Sequence, residues 1–130
     1  HTFEFLNYSQ SLGGKIGINL SRNNIISWYK YNKNKFFHPW IEDYTSRRLI
    51  NIIYNYDFIS SSSNEIEIRT LKKIILVHIY RVIHDFKHKD IHEITSYDIV
   101  ANTLSNFILN KNALKRRIMP LILQVIKLHS

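Results

Sequence analysis

The chain has 130 residues, about the length of one domain, and its 45% hydrophobic content is enough to form a core. Because it contains no cysteine, disulfide scaffolds and thiolate metal sites are excluded, and no apolar run approaches the roughly 20 residues of a membrane-spanning helix. The formal net charge of +8 favours a polyanionic partner, although the abundance of lysine with isoleucine and asparagine is also typical of an AT-rich genome.

The first two predicted helices meet at a glycine pair. Apolar residues from Phe5 to Leu12 have helical spacing, and Gly13 and Gly14 are expected to end this helix because glycine readily adopts left-handed dihedrals. Further apolar residues at spacings of three, four and seven predict a second amphipathic helix that runs to about Lys30. Residues 32–35 then form a polar connector.

The third helix is predicted to begin after Pro39 and to run to about Asp57. A serine-rich loop over residues 60–64 separates it from a long fourth helix with a broad apolar stripe. Two residue pairs around this loop fit a capping box, in which side chains satisfy the free amides at a helix start: Ser62 with Glu65, and Asn64 with Glu67.

Two more helices are predicted in the last third of the chain. Thr95 or Ser96 is expected to cap the fifth, which ends near Asn110, and Asn112 opens the sixth. Pro120 should kink this last helix because proline removes a backbone hydrogen bond. The spacing therefore predicts an all-α fold of about six helices arranged as antiparallel neighbours.

Two tryptophans and an arginine are the candidate binding residues. Trp28 lies on the apolar stripe of the second helix and is predicted to be a core residue. Trp40 precedes the third helix, where its indole either stacks on the apolar face of a sugar ring or packs in the core. Arg48 either pairs bidentately with a carboxylate or sulfate or ties the connector to neighbouring carbonyls. Trp40 and Arg48 are therefore our predicted substrate-binding residues.

Three histidines spaced by four resemble a metal-site pattern. On one unbroken helix, His84, His88 and His92 would share a face, as the ligands of zinc sites do. The charged residues among them indicate that the helix ends there, so the third imidazole should point away, and we predict neither a metal nor a cofactor. His78 lies among apolar residues and is predicted to be hydrogen-bonded and partly buried.

Several short motifs lie in order along nearly the whole chain: Phe3-Glu4-Phe5-Leu6, Gly13-Gly14, Ile26-Ser27-Trp28, Pro39-Trp40 with Asp43, Arg47-Arg48-Leu49 and Gln124-Val125-Ile126. In order and approximate spacing, these motifs resemble those of the bacterial heparinase II/III-like proteins, which are polysaccharide lyases. The resemblance rests on scattered positions rather than on one diagnostic segment.

The resemblance implies an incomplete (α/α) toroid, in which residues 1–130 form one helical domain, followed downstream by the catalytic segment and a β-sandwich. It also implies cleavage of acidic, uronate-containing glycans by β-elimination: a base removes the proton next to the carboxylate while a polar group neutralises that carboxylate. The expected partners are an acidic polysaccharide and the downstream part of the same protein. The resemblance implies a bacterial cell envelope or periplasm, and the sequence leaves the cytoplasm open as an alternative.

No catalytic residue is predicted within the chain. In the family, an Asp-Gly-Gly-His-like segment would follow the helix at Gln124, whereas this sequence continues to His129 without the two glycines. We therefore expect the chain to be a piece of a longer protein and to be inactive by itself.

Two alternatives belong to other functional classes. A small basic helical module can bind nucleic acid or another polyanion through lysine and arginine, for which the pairs Lys72-Lys73, Arg47-Arg48 and Arg116-Arg117 are candidates. Neighbouring residues on a helix point in different directions, so these pairs do not form one patch by themselves, and nucleic acid is not the favoured partner. The other alternative is a non-catalytic helical scaffold.

Overall fold

The computed structural model describes residues 2–35 and 38–110. This part of the chain contains six α-helices, one short 3₁₀ helix and no strand, which confirms the predicted all-α fold. The α-helices are α1 (Phe5–Leu12), α2 (Gly14–Asn32), α3 (Tyr44–Tyr54), α4 (Tyr56–Ser60), α5 (Glu65–His88) and α6 (Ser96–Asn110), and the 3₁₀ helix (Ile91–Glu93) lies between α5 and α6.

The glycine pair separates α1 from α2, as predicted. Gly13 and Gly14 have φ angles of +67° and +65°, in the left-handed region where a side chain is disfavoured. The Gly13 N–H donates to the Gln10 carbonyl oxygen at 3.1 Å and closes the last turn of α1. The reversal allows α1 and α2 to pack against each other.

The predicted third helix is divided in two. It ends at Tyr54, and α4 begins at Tyr56 after Asn55, whose backbone has φ −101° and ψ 11°. The buried Asn55 amide donates to the Asn51 carbonyl oxygen at 2.8 Å and to the Asn7 Oδ1 of α1 at 3.1 Å. An asparagine that binds the preceding turn competes with the helical hydrogen-bond pattern, which explains the break.

Reciprocal side-chain caps fix the starts of α5 and α6. Asn64 Oδ1 accepts from the Glu67 N–H at 2.8 Å, and Glu67 Oε1 accepts from the Asn64 N–H at 3.1 Å, so this pair forms the capping box. At the start of α6, Thr95 and Asp98 make the equivalent exchange at 3.1 and 3.4 Å. Thr95 is therefore the residue that caps α6.

The long helix α5 lies at the centre and packs against α2, α3, α4 and α6. The larger buried cluster joins the N-terminal segment, the segment before α3 and all the helices from α1 to α5. It contains Phe3, Leu6, Ile25, Tyr29, Trp40, Ile52, Ile59, Leu71, Ile74 and Val77. A smaller cluster joins α3, α5 and α6, and contains Leu49, Ile79, Val82 and Ala101. The larger cluster carries the candidate site.

Two sequence expectations have different outcomes. No helix within residues 2–35 and 38–110 is sufficiently long and apolar to span a membrane. The predicted sixth helix from Asn112, with its kink at Pro120, lies outside the described residues, as does His129.

Candidate functional site

Arg48 lies at the centre of an aromatic cluster. It is carried by α3, it is 0% exposed, and its guanidinium carbon lies 4.3 Å from the ring centre of Trp28 and 4.9 Å from that of Trp40. Its Nη2 donates to the Thr45 hydroxyl at 3.2 Å. Burial, and then the nearby charge of Arg81, lower the pKa of Arg48 to about 9, so that the side chain remains a cation at neutral pH.

His78 holds the guanidinium of Arg48 from the side of α5. The ring is 0% exposed, and its Nδ1 lies 2.8 Å from the Ile74 carbonyl oxygen, which can only accept, so Nδ1 carries the proton. Nε2 is then free to accept from Arg48 Nε at 3.0 Å. Burial, and then the charge of Arg48, lower the pKa of His78 well below 6.5, which keeps the imidazole neutral.

The indoles are held by neighbours from several segments. The rings of Trp28 and Trp40 meet edge to face with centres 5.3 Å apart, and the Phe3 ring lies 5.1 Å from that of Trp28. Trp40 Nε1 donates to the Asn32 carbonyl oxygen at 2.7 Å, and the Asn32 amide donates to the Trp28 carbonyl oxygen at 2.9 Å. These contacts tie the end of α2 to the segment before α3.

The N-terminal segment reaches this cluster through an unusual backbone conformation. Phe3 has φ +63°, in the left-handed region, where a bulky residue costs on the order of 1–3 kcal/mol. The ring is 3% exposed and packs on Trp28, and the neighbouring Thr2 carbonyl oxygen accepts from Asn51 Nδ2 at 2.8 Å. Burial and this hydrogen bond hold the strained residue against the aromatic cluster.

An open cleft of about 940 Å³ lies beside the cluster. The residues that line it come from the N-terminal segment, the last turns of α2 and the segment that follows: Phe3, Phe5, Asn24, Ser27, Trp28, Tyr31, Asn32, Asn34, Lys35, His38 and Pro39. Aromatic rings therefore alternate with amides and a hydroxyl around a concave surface. Clefts of this size and lining are typical of small-molecule and ligand sites.

Exposed polar residues form the rim of the cleft. The Tyr31 ring is 73% exposed, and Lys35 Nζ lies 3.8 Å from its centre, so the two make a cation–π contact at the surface. His38 is also exposed, and its ring centre lies 5.5 Å from that of Tyr44. The rim thus offers an aromatic face, a positive charge and an imidazole ring to a ligand.

The structure brings the predicted site residues together. Trp40 is 4% exposed and Arg48 is 0% exposed, and both pack behind Trp28, which is partly buried and lines the cleft. Trp28, predicted as core, therefore has both a packing face and a face toward the cleft. His78 is hydrogen-bonded as predicted, and it is fully rather than partly buried because Trp28 and Trp40 pack on its ring.

The histidines near the end of α5 do not converge. His84 and His88 stack with ring centres 4.3 Å apart, and the helix ends at His88, so His92 lies in the following 3₁₀ helix. Nowhere in residues 2–35 and 38–110 do three histidine, cysteine, aspartate or glutamate side chains form a group that could hold a metal ion.

Sequence reasoning missed the rim residues. Residues 32–35 were predicted only as a polar connector, but Asn34 and Lys35 line the cleft together with His38. The available signal was a loop rich in amides and lysine placed directly between two tryptophan-bearing segments. Such loops position ligand-binding side chains on a rigid helical scaffold.

Comparisons of this chain with protein families, with curated proteins and with solved structures find no match.

Proposed function

We propose that this chain is the glycan-holding helical part of a heparinase II/III-like polysaccharide lyase, with an incomplete toroidal arrangement of helices. The cleft beside Trp28 then receives an acidic, uronate-containing chain. The observation that carries the proposal is the lining of the cleft, in which aromatic rings, side-chain amides and a lysine surround one open concave surface.

The aromatic residues suit the apolar faces of sugar rings. A pyranose presents C–H groups on its faces and hydroxyls around its edge, and an aromatic ring packs well on such a face. Trp28 and Tyr31 provide rings at the wall and at the rim, while Asn24 and Asn34 provide amides that can donate to and accept from hydroxyls. In this proposal, Trp40 and Arg48 contribute to glycan binding indirectly, because both pack on Trp28.

The charges near the cleft suit a negatively charged chain. Lys35 lines the cleft, and Lys33 lies two residues before it at the end of α2. Burial, and then the charge of Lys33, lower the pKa of Lys73 on α5. An anionic glycan bound in the cleft and across this end of α2 would be attracted by these positive charges.

In this proposal, the chemistry of cleavage is assigned to the downstream part of the same protein and to no residue of this chain. In β-elimination, a base removes the C5 proton of the uronate, a C4–C5 double bond forms, the bond from C4 to the leaving oxygen breaks, and an acid gives that oxygen a proton. None of the residues that line the cleft is assigned as that base. The proposed role of this domain is to bind and orient the chain.

Binding of acidic oligosaccharides tests the proposal directly. We expect a heparin- or alginate-derived oligosaccharide to bind, and a neutral dextran oligosaccharide of equal length not to bind, in titration calorimetry. Tyr31→Ala and Lys35→Gln should each weaken binding roughly five- to tenfold, since each removes a contact of about 1 kcal/mol. Tyr54→Ala and Lys72→Gln are matched controls, because both residues are exposed and lie outside the cleft lining.

Duplex DNA is the comparison ligand for the polyanion alternative. Two results together would indicate binding by net charge and contradict the proposal. The protein would bind DNA and the acidic oligosaccharide with equal affinity, and the cleft variants and Lys72→Gln would lose equal amounts of that affinity. The absence of binding to any acidic glycan at low salt would also contradict it. For the complete protein, lyase activity predicts a rise in ultraviolet absorbance from the unsaturated uronate product.

A further inference from the structure

We propose that a small cavity between α1, α3 and α6 binds a free α-amino acid, whose carboxylate meets Arg47 and whose ammonium group meets Glu4. The cavity has a volume of about 250 Å³, and its lining comes from these three helices and from Glu4, which precedes α1. None of its lining residues lines the cleft beside Trp28. The cavity is therefore a second site, independent of the proposed glycan cleft.

Arg47 presents a fixed guanidinium to the cavity. Its Nε donates to the Asp43 carboxylate at 3.0 Å, and its guanidinium carbon lies 4.2 Å from the ring centre of Tyr97. Asp43 is 5% exposed and also accepts from the Thr95 hydroxyl at 2.9 Å, so this carboxylate is itself held in place. Within the described part of the chain, Nη1 and Nη2 of Arg47 make no hydrogen bond. These two nitrogens form a planar fork that matches the two oxygens of a carboxylate.

Two amides of the lining each have one end bound and the other end open to a ligand. Asn7 Oδ1 accepts from Asn55 Nδ2 at 3.1 Å, and Asn51 Nδ2 donates to the Thr2 carbonyl oxygen at 2.8 Å. The opposite atoms of Asn7 and Asn51 make no hydrogen bond to any residue that the structure describes. Asn7 therefore offers an N–H donor to a carboxylate, and Asn51 offers an oxygen acceptor to an ammonium group.

Glu4 supplies a negative charge on the side of α1. Its side chain is exposed, does not cap α1, and forms no ion pair within the described residues. A carboxylate and an arginine fork thus line one cavity without neutralising each other directly. A ligand with only a negative charge would be repelled by Glu4, and a ligand with only a positive charge would be repelled by Arg47. A zwitterion satisfies both groups.

The size and the remaining lining of the cavity suit a single amino acid. The volume is below the roughly 300–1,000 Å³ that is typical of sites for drug-sized ligands. The partly buried Ile50 and the exposed rings of Tyr8 and Tyr97 provide apolar surface beside the charged groups. An apolar side chain of moderate size can pack there, so leucine is a suitable probe.

Titration of the ¹⁵N-labelled protein with L-leucine tests the proposal. Two analogues of similar shape each lack one charged group: isocaproate has no ammonium group, and isopentylamine has no carboxylate. We expect millimolar leucine to shift the signals of the Asn7 side-chain amide and of Arg47 Nε–H in a saturable manner. Each analogue should bind roughly tenfold more weakly, because one set of charge-assisted hydrogen bonds is lost. The indole signal of Trp28 should not move.

Charge-specific variants show which group binds which end of the ligand. Glu4→Gln should weaken leucine binding roughly fivefold and should not weaken isocaproate binding, because it removes attraction for the ammonium group and repulsion of the carboxylate. Arg47→Lys keeps the charge but removes the fork, and should weaken the binding of both ligands roughly tenfold. Glu65→Gln and Arg69→Lys are matched controls at exposed positions on α5 and should leave both affinities unchanged.

Three results would overturn the proposal: no saturable shift with millimolar leucine, an equal loss of leucine and isocaproate affinity in Glu4→Gln, or undiminished leucine affinity in Arg47→Lys. If loss of the Asp43 contact unfolds Arg47→Lys, the result for Glu4→Gln decides the matter alone. The signals of Asn7 and Arg47 report on this cavity and that of Trp28 reports on the cleft, so the failure of either site is recognised separately.

Discussion

Two buried arginines, Arg22 and Arg48, have different surroundings, and the difference predicts different effects on stability when each side chain is replaced. Arg22 on α2 is 3% exposed. Its Nη1 donates to the carbonyl oxygen of Ile59 at 3.3 Å and to that of Ser61 at 3.0 Å. Its Nε forms an ion pair with the Glu67 carboxylate at 2.7 Å. Arg48 stacks on indoles and donates to a neutral imidazole and a hydroxyl.

Each arrangement serves a different part of the fold. The carbonyls bound by Arg22 lie at the end of α4, and Glu67 belongs to the capping box of α5. Arg22 therefore joins the middle of α2 to the end of α4 and the start of α5. Removing it would leave those groups unsatisfied. Arg48 instead packs on Trp28, which lines the cleft, and burial lowers the pKa of Arg48. Arg22 thus meets carbonyl oxygens and a carboxylate, whereas Arg48 meets aromatic rings, an imidazole and a hydroxyl.

The largest expected effect is on stability at Arg22. Arg22→Met should lower the free energy of unfolding by about 3 kcal/mol, because it leaves a partly buried carboxylate and two carbonyl groups without their donor. Urea denaturation followed by circular dichroism measures this loss. Arg69→Met, at an exposed position on α5, is the control and should change stability by less than about 0.5 kcal/mol. Equal losses in both variants would remove the distinction drawn for Arg22.

An intermediate effect on stability is expected when the pH is lowered, because of His78, which lies beside Arg48. Below pH 6.5 an unfolded imidazole binds a proton, whereas His78 in the folded chain, buried beside Arg48 and Arg81, does not. Protons therefore favour the unfolded state, and this group should cost about 1 kcal/mol of stability per pH unit below 6.5. Unfolding measured from pH 7.0 to pH 5.0 should show this slope, and His78→Gln should reduce it. An identical slope in both proteins would contradict the neutral, buried state of His78.

The smallest effect is expected on stability at Arg48. Arg48→Met should change the free energy of unfolding by no more than about 1 kcal/mol, because relief of the buried charge offsets the lost hydrogen bonds to His78 and Thr45. The same denaturation experiment used for Arg22→Met checks this value. A loss as large as that of Arg22→Met would mean that Arg48 is mainly structural.

A second polar network, around Asp98, should affect stability at a lower pH than His78 does. Burial raises the pKa of Asp98, but hydrogen bonds from Ser46, Lys89 and Thr95 outweigh burial, so the net pKa lies below its usual value. The contribution of the Asp98 carboxylate to the free energy of unfolding is fully present above 3.8, the pKa of this group in the unfolded chain. It is lost as the pH falls through the lower pKa of the folded chain. Asp98→Asn should remove this part of the acid transition and leave the slope between pH 7.0 and pH 5.0 unchanged in the same denaturation series.

Local signals in the sequence predicted much of the fold. The glycine pair at residues 13 and 14, the capping box of Asn64 and Glu67 and the start of α6 depend on residues within a few positions of one another. The break at Asn55 was not predicted because its amide is bound by Asn7 and Gln10, more than forty residues away along the chain. Long-range partners of this kind leave no local pattern.

The candidate site was predicted less completely than the fold. The importance of Trp28, Trp40 and Arg48 was visible as an unusual aromatic and basic segment. Which indole faces the cleft, and that Arg48 lies behind it, depends on how α2, α3 and α5 pack. A periodic pattern assigns a residue to one face of a helix, but it does not distinguish a ligand-facing residue from one that supports it.

The most direct test of the central claim is a titration of the ¹⁵N-labelled protein with an acidic, uronate-containing oligosaccharide, read at the two indole N–H signals. The signal of Trp28, which lines the cleft, should shift in a saturable manner, while that of Trp40, bound to the Asn32 carbonyl oxygen, should move much less. A neutral oligosaccharide should move neither. If neither indole responds to the acidic glycan at millimolar concentration, or if the neutral one shifts Trp28 equally, the cleft is not a site for acidic glycans.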